Sequence, residues 1–210
     1  EEAAREARYE GFRQHVRAGD ILFLAHHQDD QAETFLMRGL RGAGVQGLAA
    51  MPAERPFAEA LIARPLLAFT REAIQRFAER ERLQWVDDQS NRDTGFERNY
   101  LRHEVVPALR ARWPGFAARF ARAARWCEES ARLNRDLAAI DLAGLDRSEP
   151  WTGQASIDLV ALRALSDERQ RNVLRYWLDR EGLGRLGSQH LSIIRREVID
   201  AAADAKQATE

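Results

Sequence analysis

The sequence predicts an α/β fold for the first half of the chain and an all-helical fold for the second. Residues 2–17 carry apolar side chains at helical spacing, and the apolar run Ile21–Ala25 follows them. Such a run is typical of a strand buried on both faces of a parallel sheet. A polar turn and a second helix over Gln31–Arg41 complete an α/β unit. Residues 114–143 favour one long helix.

The remaining elements support a division into a domain over residues 1–113 and a helical domain over residues 114–210. We predict strands over Leu61–Leu67 and Gln84–Val86, and helices over Thr70–Arg82, Glu97–Arg112, Ser166–Glu181 and Ser188–Ala202.

Composition and net charge exclude some classes of protein but indicate no particular partner. The 210 residues have a formal net charge of −1, with 45% hydrophobic and 31% charged residues, which is ordinary for a globular protein. No apolar run approaches the roughly 18 residues needed to cross a bilayer, so we expect no membrane partner. The single cysteine, Cys127, excludes an intramolecular disulfide and a cysteine-rich metal site. We therefore expect a cytoplasmic protein.

The turn after the first strand gathers His26, Asp29, Asp30 and Glu33. If a helix begins near Asp29, then Asp30 and Glu33 share one of its faces at the carboxyl end of the strand. Clustered acids in this position suit a metal–phosphate complex or an ammonium group. Zinc is disfavoured because the spacing is not a usual zinc signature. The alternative is an aspartate helix cap among solvated polar residues.

The loop over residues 39–47 contains four glycines, which would let backbone amides approach a phosphate, and Arg38 and Arg41 add positive charge. It lacks the Lys-Ser/Thr ending of a Walker loop. A flexible surface loop is the alternative.

Arginines dominate the segment from residue 97 to residue 126, where the only acids are Glu97 and Glu104. The seven arginines are Arg98, Arg102, Arg110, Arg112, Arg119, Arg122 and Arg125. Aromatic residues interleave with them at Trp113, Phe116, Phe120 and Trp126. Such a stripe favours an RNA-facing surface. The alternative is an amphipathic helix with core aromatics and solvated arginines.

The order of these motifs resembles that of the tRNA(Ile)-lysidine synthetases, which are PP-loop ATP pyrophosphatases. The matching segments are residues 24–34, which fit the family motif His-x-x-x-Asp-x-x-Glu-Thr, and residues 41–48, 62–67, 85–93 and 96–102. The resemblance implies the C-terminal part of a parallel-sheet PP-loop (adenine nucleotide alpha hydrolase-like) domain, followed by an all-α substrate-binding domain.

The resemblance also implies the reaction. Family members use ATP and Mg²⁺ to join L-lysine to the 2-position of the wobble cytidine of tRNA(Ile) with a CAU anticodon, through an adenylated cytidine. The family's Ser-Gly-Gly-x-Asp-Ser phosphate loop does not occur in this chain. We therefore expect a chain truncated at its N-terminus and inactive by itself.

Five catalytic residues follow from the resemblance. It implies that Asp30 and Glu33 hold the lysine ammonium and help to deprotonate it, and that His26 lies by the nucleotide and the developing charge. It places Asn91 and Arg102 in the catalytic pocket, where Arg102 would steady phosphate or adenylate charge.

Cofactor-binding residues follow in the same way. Arg41, Gly42 and Gly44 would line the mouth through which the cytosine enters, and Arg98 is a further candidate. No metal ligand is predicted in the chain.

Two rival functions stay open. A 2-thiocytidine synthetase is a related PP-loop enzyme, but such enzymes use paired cysteines, which the lone Cys127 opposes. A non-catalytic tRNA-binding module is the rival from a different class. A homodimer is a further candidate assembly.

Overall fold

A computed structural model of the chain describes residues 2–86, 93–148 and 155–183, together with Leu191, Ile193, Ile194, Arg196 and Glu197. The predicted site residue Asn91 and most of the predicted helix Ser188–Ala202 lie outside the described residues. The chain divides into two compact units, Glu1–Ser130 and Ala131–Glu210. None of the described helices is both long and apolar enough to cross a membrane.

The first unit mixes helices with a small sheet, as the sequence predicts. In chain order its elements are α1 (Glu2–His15), β1 (Ile21–Phe23), α2 (Gln28–Leu40), α3 (Val45–Leu48), β2 (Glu54–Phe57), β3 (Ala60–Ala63), α4 (Arg71–Arg80), α5 (Glu97–Tyr100), a π-helical turn (Leu101–Val105), α6 (Val106–Arg112) and the start of α7 (Phe116–Ala143). The predicted helix Glu97–Arg112 therefore forms with a π-helical turn inside it.

The described part of the second unit consists mainly of helices. After the end of α7 its elements are β4 (Asp146–Ser148), β5 (Ala155–Ile157), α8 (Leu159–Arg163) and α9 (Asp167–Arg180). Strands β4 and β5 form a short antiparallel pair, which the sequence prediction missed. A buried apolar cluster that includes Leu142, Leu162 and Val173 forms the core of this unit.

The three strands of the first unit form one mixed sheet in the order β1-β3-β2. Strand β1 runs parallel to β3, with Ile21 opposite Leu61, and β2 runs antiparallel to β3. The prediction that the first strand is buried on both faces is wrong. Ile21 and Phe23, which lie on the same face of β1, are exposed, whereas Leu22 on the opposite face is partly buried. Strand β1 lies at the edge of this sheet within the described residues.

Two further strand assignments need correction. The predicted strand Gln84–Val86 has no regular structure, and its side chains are exposed, with no described strand beside it to supply hydrogen bonds. Strand β2 was missed because Pro56 interrupts it, and proline in a strand is tolerated mainly at a sheet edge, which is where β2 lies.

The core of the first unit brings α2 against the helices that follow residue 97. Ala32 on α2 is fully buried and packs with Val106, Phe116 and Ala117. Since alanine has the smallest side chain that still packs, the backbone of α2 can approach its neighbours closely. This contact places the acids on either side of Ala32 next to the arginines of the 97–112 segment.

Candidate functional site

Helix α2 begins with a reciprocal cap that differs from the one predicted. The capping residue is His27 rather than Asp29 or Asp30. Its Nδ1 accepts a hydrogen bond from the Asp30 backbone N–H at 3.3 Å, and Asp30 Oδ2 accepts from the His27 backbone N–H at 3.0 Å. This is the geometry of a capping box. Asp30 therefore lies in the first turn, with one oxygen fixed by the cap and the other, Oδ1, facing the arginines.

Two arginines converge on Asp30 and Glu33. Arg98 donates from Nε to Glu33 Oε2 at 3.0 Å and from Nη2 to Asp30 Oδ1 at 3.1 Å. Arg102 donates from Nε to Glu33 Oε1 and from Nη2 to Glu33 Oε2, both at 2.8 Å, and also reaches Asp30 Oδ1 at 3.1 Å. The Arg102–Glu33 contact is a bidentate pair, which fixes orientation as well as charge. Both acids are buried.

Asp29 forms a second pairing beside the first. Its Oδ2 accepts from the backbone N–H of Arg71 at 2.8 Å, and its Oδ1 accepts from Arg110 Nη2 at 2.7 Å. Asp29 thus connects the starts of α2 and α4 to α6. We call the six residues Asp29, Asp30, Glu33, Arg98, Arg102 and Arg110 the acid–arginine cluster.

The acid–arginine cluster balances its charges, with three carboxylates and three guanidinium groups. Hydrogen bonding to Glu33 raises the pKa of Arg102 above its ordinary value, so this guanidinium stays protonated. The carboxylates predicted to hold an ammonium group are therefore already engaged by arginines.

The π-helical turn interrupts the helical segment that carries Arg98 and Arg102. The Val106 backbone N–H bonds to the Leu101 carbonyl, five residues earlier. Arg98 precedes this turn and Arg102 lies within it, yet both reach the same two acids. Single π turns inside α-helices are frequent at functional sites.

His26 lies next to the cluster at the carboxyl end of β1. Burial lowers the pKa of His26 to about 4, although the neighbouring Asp30 opposes the shift, so the imidazole is neutral at pH 7. Its Nδ1 is buried and has no hydrogen-bond partner among the described residues. A cavity of about 280 Å³ adjoins it. The cavity is lined by Arg8, Tyr9, Phe12, Leu24, Ala25 and His26. A buried ring nitrogen without a partner can bond to a ligand.

A second cavity, of about 440 Å³, opens beside the acids. Its lining combines the carboxylates of Asp29 and Glu33 with arginines and an apolar surface. The other lining residues are Arg71, Arg102, His103, Val106, Pro107, Arg110, Ala111 and Phe116. A small molecule with charges of both signs and an aliphatic part matches this lining.

The glycine loop does not join this site. Arg38, which lies in α2, donates to the carbonyls of Gly47 and Ala50 at 2.7 and 2.8 Å. These bonds connect α2 to the end of the glycine loop. Gly42 has a positive φ of 71°, which explains the glycine there, and Gly44 precedes the short helix α3. Both glycines are exposed.

Arg41 is separate from these glycines as well. It forms an ion pair with Glu97 beside a cavity of about 600 Å³. Leu40 and Tyr100 contribute to the lining of the same cavity, and neither Gly42 nor Gly44 does.

Sequence reasoning missed the site contacts of two arginines. Arg110 was predicted only as part of the arginine stripe, whereas Asp29 was predicted among the clustered acids. Arg64, directly after β3, is 5% exposed and donates to the carbonyl of Pro52 at 2.7 Å. The sequence offered one signal for it, since a charged residue that ends a buried strand needs a specific partner.

Comparisons with known proteins identify the families that the chain matches. Residues 1–109 match the PP-loop domain family, and residues 157–209 match the TilS substrate binding domain. A protein of Pseudomonas putida named tRNA(Ile)-lysidine synthase is 49% identical over 98% of this chain and 48% of its own length. Proteins of the same name from Coxiella burnetii and Methylococcus capsulatus are 44% and 42% identical over 98% and 97% of this chain, and 44% and 46% of their own lengths.

The chain spans about half the length of the curated relatives that it matches. The PP-loop match covers more than half of the chain and contains every residue of the acid–arginine cluster except Arg110, which follows it directly. The α/β region predicted from the sequence is thereby confirmed, and the chain belongs to the PP-loop domain family.

Proposed function

We propose that this chain carries part of the active site of an ATP-dependent tRNA(Ile)-lysidine synthase. The acid–arginine cluster next to the neutral His26 carries the proposal, because it gathers buried, oriented charges at the carboxyl end of a parallel strand. The similarity to proteins of that name supports the identity of the substrates.

The proposed reaction has two steps. The 2-carbonyl oxygen of the wobble cytidine attacks the α-phosphorus of ATP, so that an O–P bond forms and pyrophosphate leaves. The ε-amine of L-lysine then attacks C2, the C2–O bond breaks, AMP leaves and the nitrogen loses a proton. Adenylation is needed because a ring carbonyl oxygen is a poor leaving group.

Arg98 and Arg102 would stabilise negative charge in both steps. Asp30 and Glu33 hold the two guanidinium groups in one orientation, so no reorganisation is required when phosphate charge develops. The arginine side chains retain 26% and 20% exposure, which leaves part of each fork accessible to a phosphate. Asp30 and Glu33 would thus act mainly by positioning the arginines.

Lysine suits the 440 Å³ cavity. Its aliphatic chain would pack on Val106 and Phe116, its ammonium would lie near Glu33, and its carboxylate near Arg71. This arrangement retains a role for Glu33 in binding the ammonium, and Asp30 would act on lysine less directly.

His26 would contribute a hydrogen bond rather than a positive charge. The pKa of about 4 keeps the imidazole neutral at physiological pH, and the buried Nδ1 has no hydrogen-bond partner among the described residues.

Mg²⁺ is expected to accompany ATP, but the described side chains do not fit a magnesium site. Asp29, Asp30 and Glu33 all have guanidinium partners, and the described residues form no group of His, Cys, Asp and Glu able to hold a metal. We therefore assign no role in binding Mg²⁺ to these residues.

The test is Asp30→Asn in the full-length enzyme. Asparagine keeps an oxygen for the helix cap but removes the charge that holds Arg98 and Arg102. We expect lysine incorporation into tRNA(Ile) to fall by roughly 100-fold, in the range for lost electrostatic preorganisation, with the dissociation constant for tRNA nearly unchanged.

Asp20→Asn is the matched control. Asp20 is exposed and caps a turn by accepting from the Arg17 backbone N–H at 2.8 Å, so this variant should retain wild-type incorporation. Wild-type turnover in Asp30→Asn would contradict the proposed role of the acid–arginine cluster.

The second candidate is a non-catalytic tRNA-binding module. The observation that favours it is that residues 157–209 match the TilS substrate binding domain. An assay of the full-length protein separates the two, because a binding module would retain tRNA without incorporating lysine. The homodimer and the cytoplasmic location stay predictions, and sedimentation of the purified chain would test the first.

A further inference from the structure

The arginine-rich segment continues past the acid–arginine cluster onto the surface. The end of α6 and the first three turns of α7 present a group of exposed side chains that we call the outer arginine–tryptophan face. It consists of Arg112, Trp113, Arg119, Arg122, Arg125 and Trp126. Trp113 and Trp126 are 47% and 61% exposed, which is unusual for the largest aromatic side chain.

The arginines of this face have no acidic partner. Among the described residues, no carboxylate lies within ion-pair distance of Arg112, Arg119, Arg122 or Arg125. The nearest acids along α7 come after the face, at Glu128 and Glu129. The face is therefore locally positive although the chain as a whole has a net charge of −1.

Each tryptophan of the outer arginine–tryptophan face has a guanidinium over its ring. The Arg122 Cζ lies 5.6 Å from the centre of Trp126, and the Arg112 Cζ lies 5.7 Å from the centre of Trp113. Both distances fit cation–π contacts. Arg119, Arg122 and Trp126 are spaced by three and four residues, so they share one side of α7.

The other two aromatic residues of the segment have a different role. Phe116 is buried in the core, and Phe120 packs against it with ring centres 6.1 Å apart. Their position in the chain does not distinguish them from the tryptophans. The structure assigns the phenylalanines to packing and leaves the tryptophans to the surface.

We propose that the outer arginine–tryptophan face binds RNA, with Trp126 stacking on an unpaired base while Arg119 and Arg122 contact phosphates. Cations and exposed rings interleaved on one surface match the two components of single-stranded RNA, its phosphates and the faces of its bases. An acidic protein would satisfy the arginines but would leave the exposed ring faces unused. The face lies between residues 110 and 156, which neither matched domain covers.

The experiment measures binding of the 210-residue chain to an RNA stem-loop and to a fully paired RNA of equal length, by fluorescence anisotropy at several salt concentrations. Arg119→Glu combined with Arg122→Glu should raise the Kd for the stem-loop more than about tenfold, and should reduce the slope of log K against log salt by roughly 1.5 to 2. Trp126→Ala should raise the same Kd about fivefold, the lower end for a lost base stack. Trp126→Phe keeps a stacking ring and should restore most of the affinity.

The matched control is Arg132→Glu combined with Arg135→Glu. These arginines are exposed on the same helix with the same spacing and undergo the same change of charge. Equal loss in this control would show that only net charge matters and would overturn the proposal. So would a Trp126→Ala variant that binds the stem-loop like wild type, or that loses affinity for paired RNA equally.

The proposal rests on the proposed function only for the identity of the RNA as a tRNA. If the full-length enzyme makes no lysidine but Trp126 still matters for the stem-loop, the RNA surface stands and the proposed function falls. If lysidine forms at wild-type rates in Trp126→Ala and its RNA affinity is unchanged, the proposed function stands and the RNA surface falls.

Discussion

One run of arginines serves two environments in this protein. Arg98, Arg102 and Arg110 point toward the start of α2 and form ion pairs with buried acids. Arg112, Arg119, Arg122 and Arg125 are exposed, and no carboxylate among the described residues forms an ion pair with them. The two groups are neighbours along the chain and cannot be distinguished by residue type.

The difference lies in the partner rather than in the arginine. A buried carboxylate such as Glu33 requires a counter-charge, so the arginines that face it are held in one geometry. An arginine that meets only water keeps its rotamer freedom and can engage a ligand phosphate. The inner group is therefore suited to oriented chemistry, and the outer group to contact with a polyanion.

The largest effect on the free energy of unfolding is expected at Glu33, which forms ion pairs with two arginines. Glu33→Gln leaves Arg98 and Arg102 short of a counter-charge, and we expect the free energy of unfolding to fall by about 2–3 kcal/mol, below the range for fully buried pairs because the arginines are partly exposed. Urea denaturation measures the change. Glu97→Gln is the control, since its exposed pair with Arg41 should contribute less than about 1 kcal/mol. Equal effects in the two variants would remove the distinction between buried and exposed pairs.

An intermediate effect on the free energy of unfolding is expected when the pH changes, because the partly buried His26 lies beside Arg98, Arg102 and the acids that they contact. Burial lowers the pKa of His26 to about 4, whereas an unfolded histidine has a pKa near 6.5. Between these values the unfolded chain binds a proton that the folded chain does not. The contribution of His26 to stability is thus complete above pH 6.5 and declines as the pH falls toward 4.

Comparison of His26→Gln with wild type by denaturation at pH 7 and pH 5 tests this effect. The stability of wild type should decrease more than that of the variant. His15→Gln, which changes an exposed histidine, should behave like wild type. A variant whose loss of stability between the two pH values matches that of wild type would show that His26 is not the group responsible.

The smallest effect on the free energy of unfolding is expected for a substitution on the outer arginine–tryptophan face. Arg122→Ala removes an exposed side chain that lies over the ring of Trp126, so the free energy of unfolding should change by less than about 0.5 kcal/mol. Thermal and urea unfolding measure it. A loss above about 1 kcal/mol would mean that the outer face contributes to the fold and is not reserved for a ligand.

Local patterns predicted most of the elements correctly. Helices α1, α4, α7 and α9 follow the apolar spacing that the sequence shows, and Thr70 caps α4 by accepting from the Ala73 backbone N–H at 3.1 Å, as expected. The cap of α2 was misassigned because His27 is an uncommon capping residue beside two aspartates that are common ones. Strand β2 was not predicted from the sequence, and it contains Pro56, a residue that disfavours a strand.

The candidate site could be predicted only in part. The residues His26, Asp30 and Glu33 were found because they cluster along the chain, and their partners Arg98 and Arg102 were found as candidates without their geometry. Asn91 lies outside the described residues, and its role stays a prediction. The glycine loop was grouped with the site because the resemblance implies that Gly42 and Gly44 line its mouth, and this role stays a prediction. Arg38 of α2 bonds to the carbonyls of Gly47 and Ala50 at the end of that loop.

The sequence by itself determined the longer helices and the family, because periodicity and motif order are properties of neighbouring residues. Only the tertiary structure decided which arginines face acids. Arg98 and Glu33 are 65 residues apart, and Arg110 and Asp29 are 81 apart. Their pairing depends on the close approach that buried Ala32 allows between α2 and the helices after residue 97. Distances set by packing over such separations leave no local pattern in the chain.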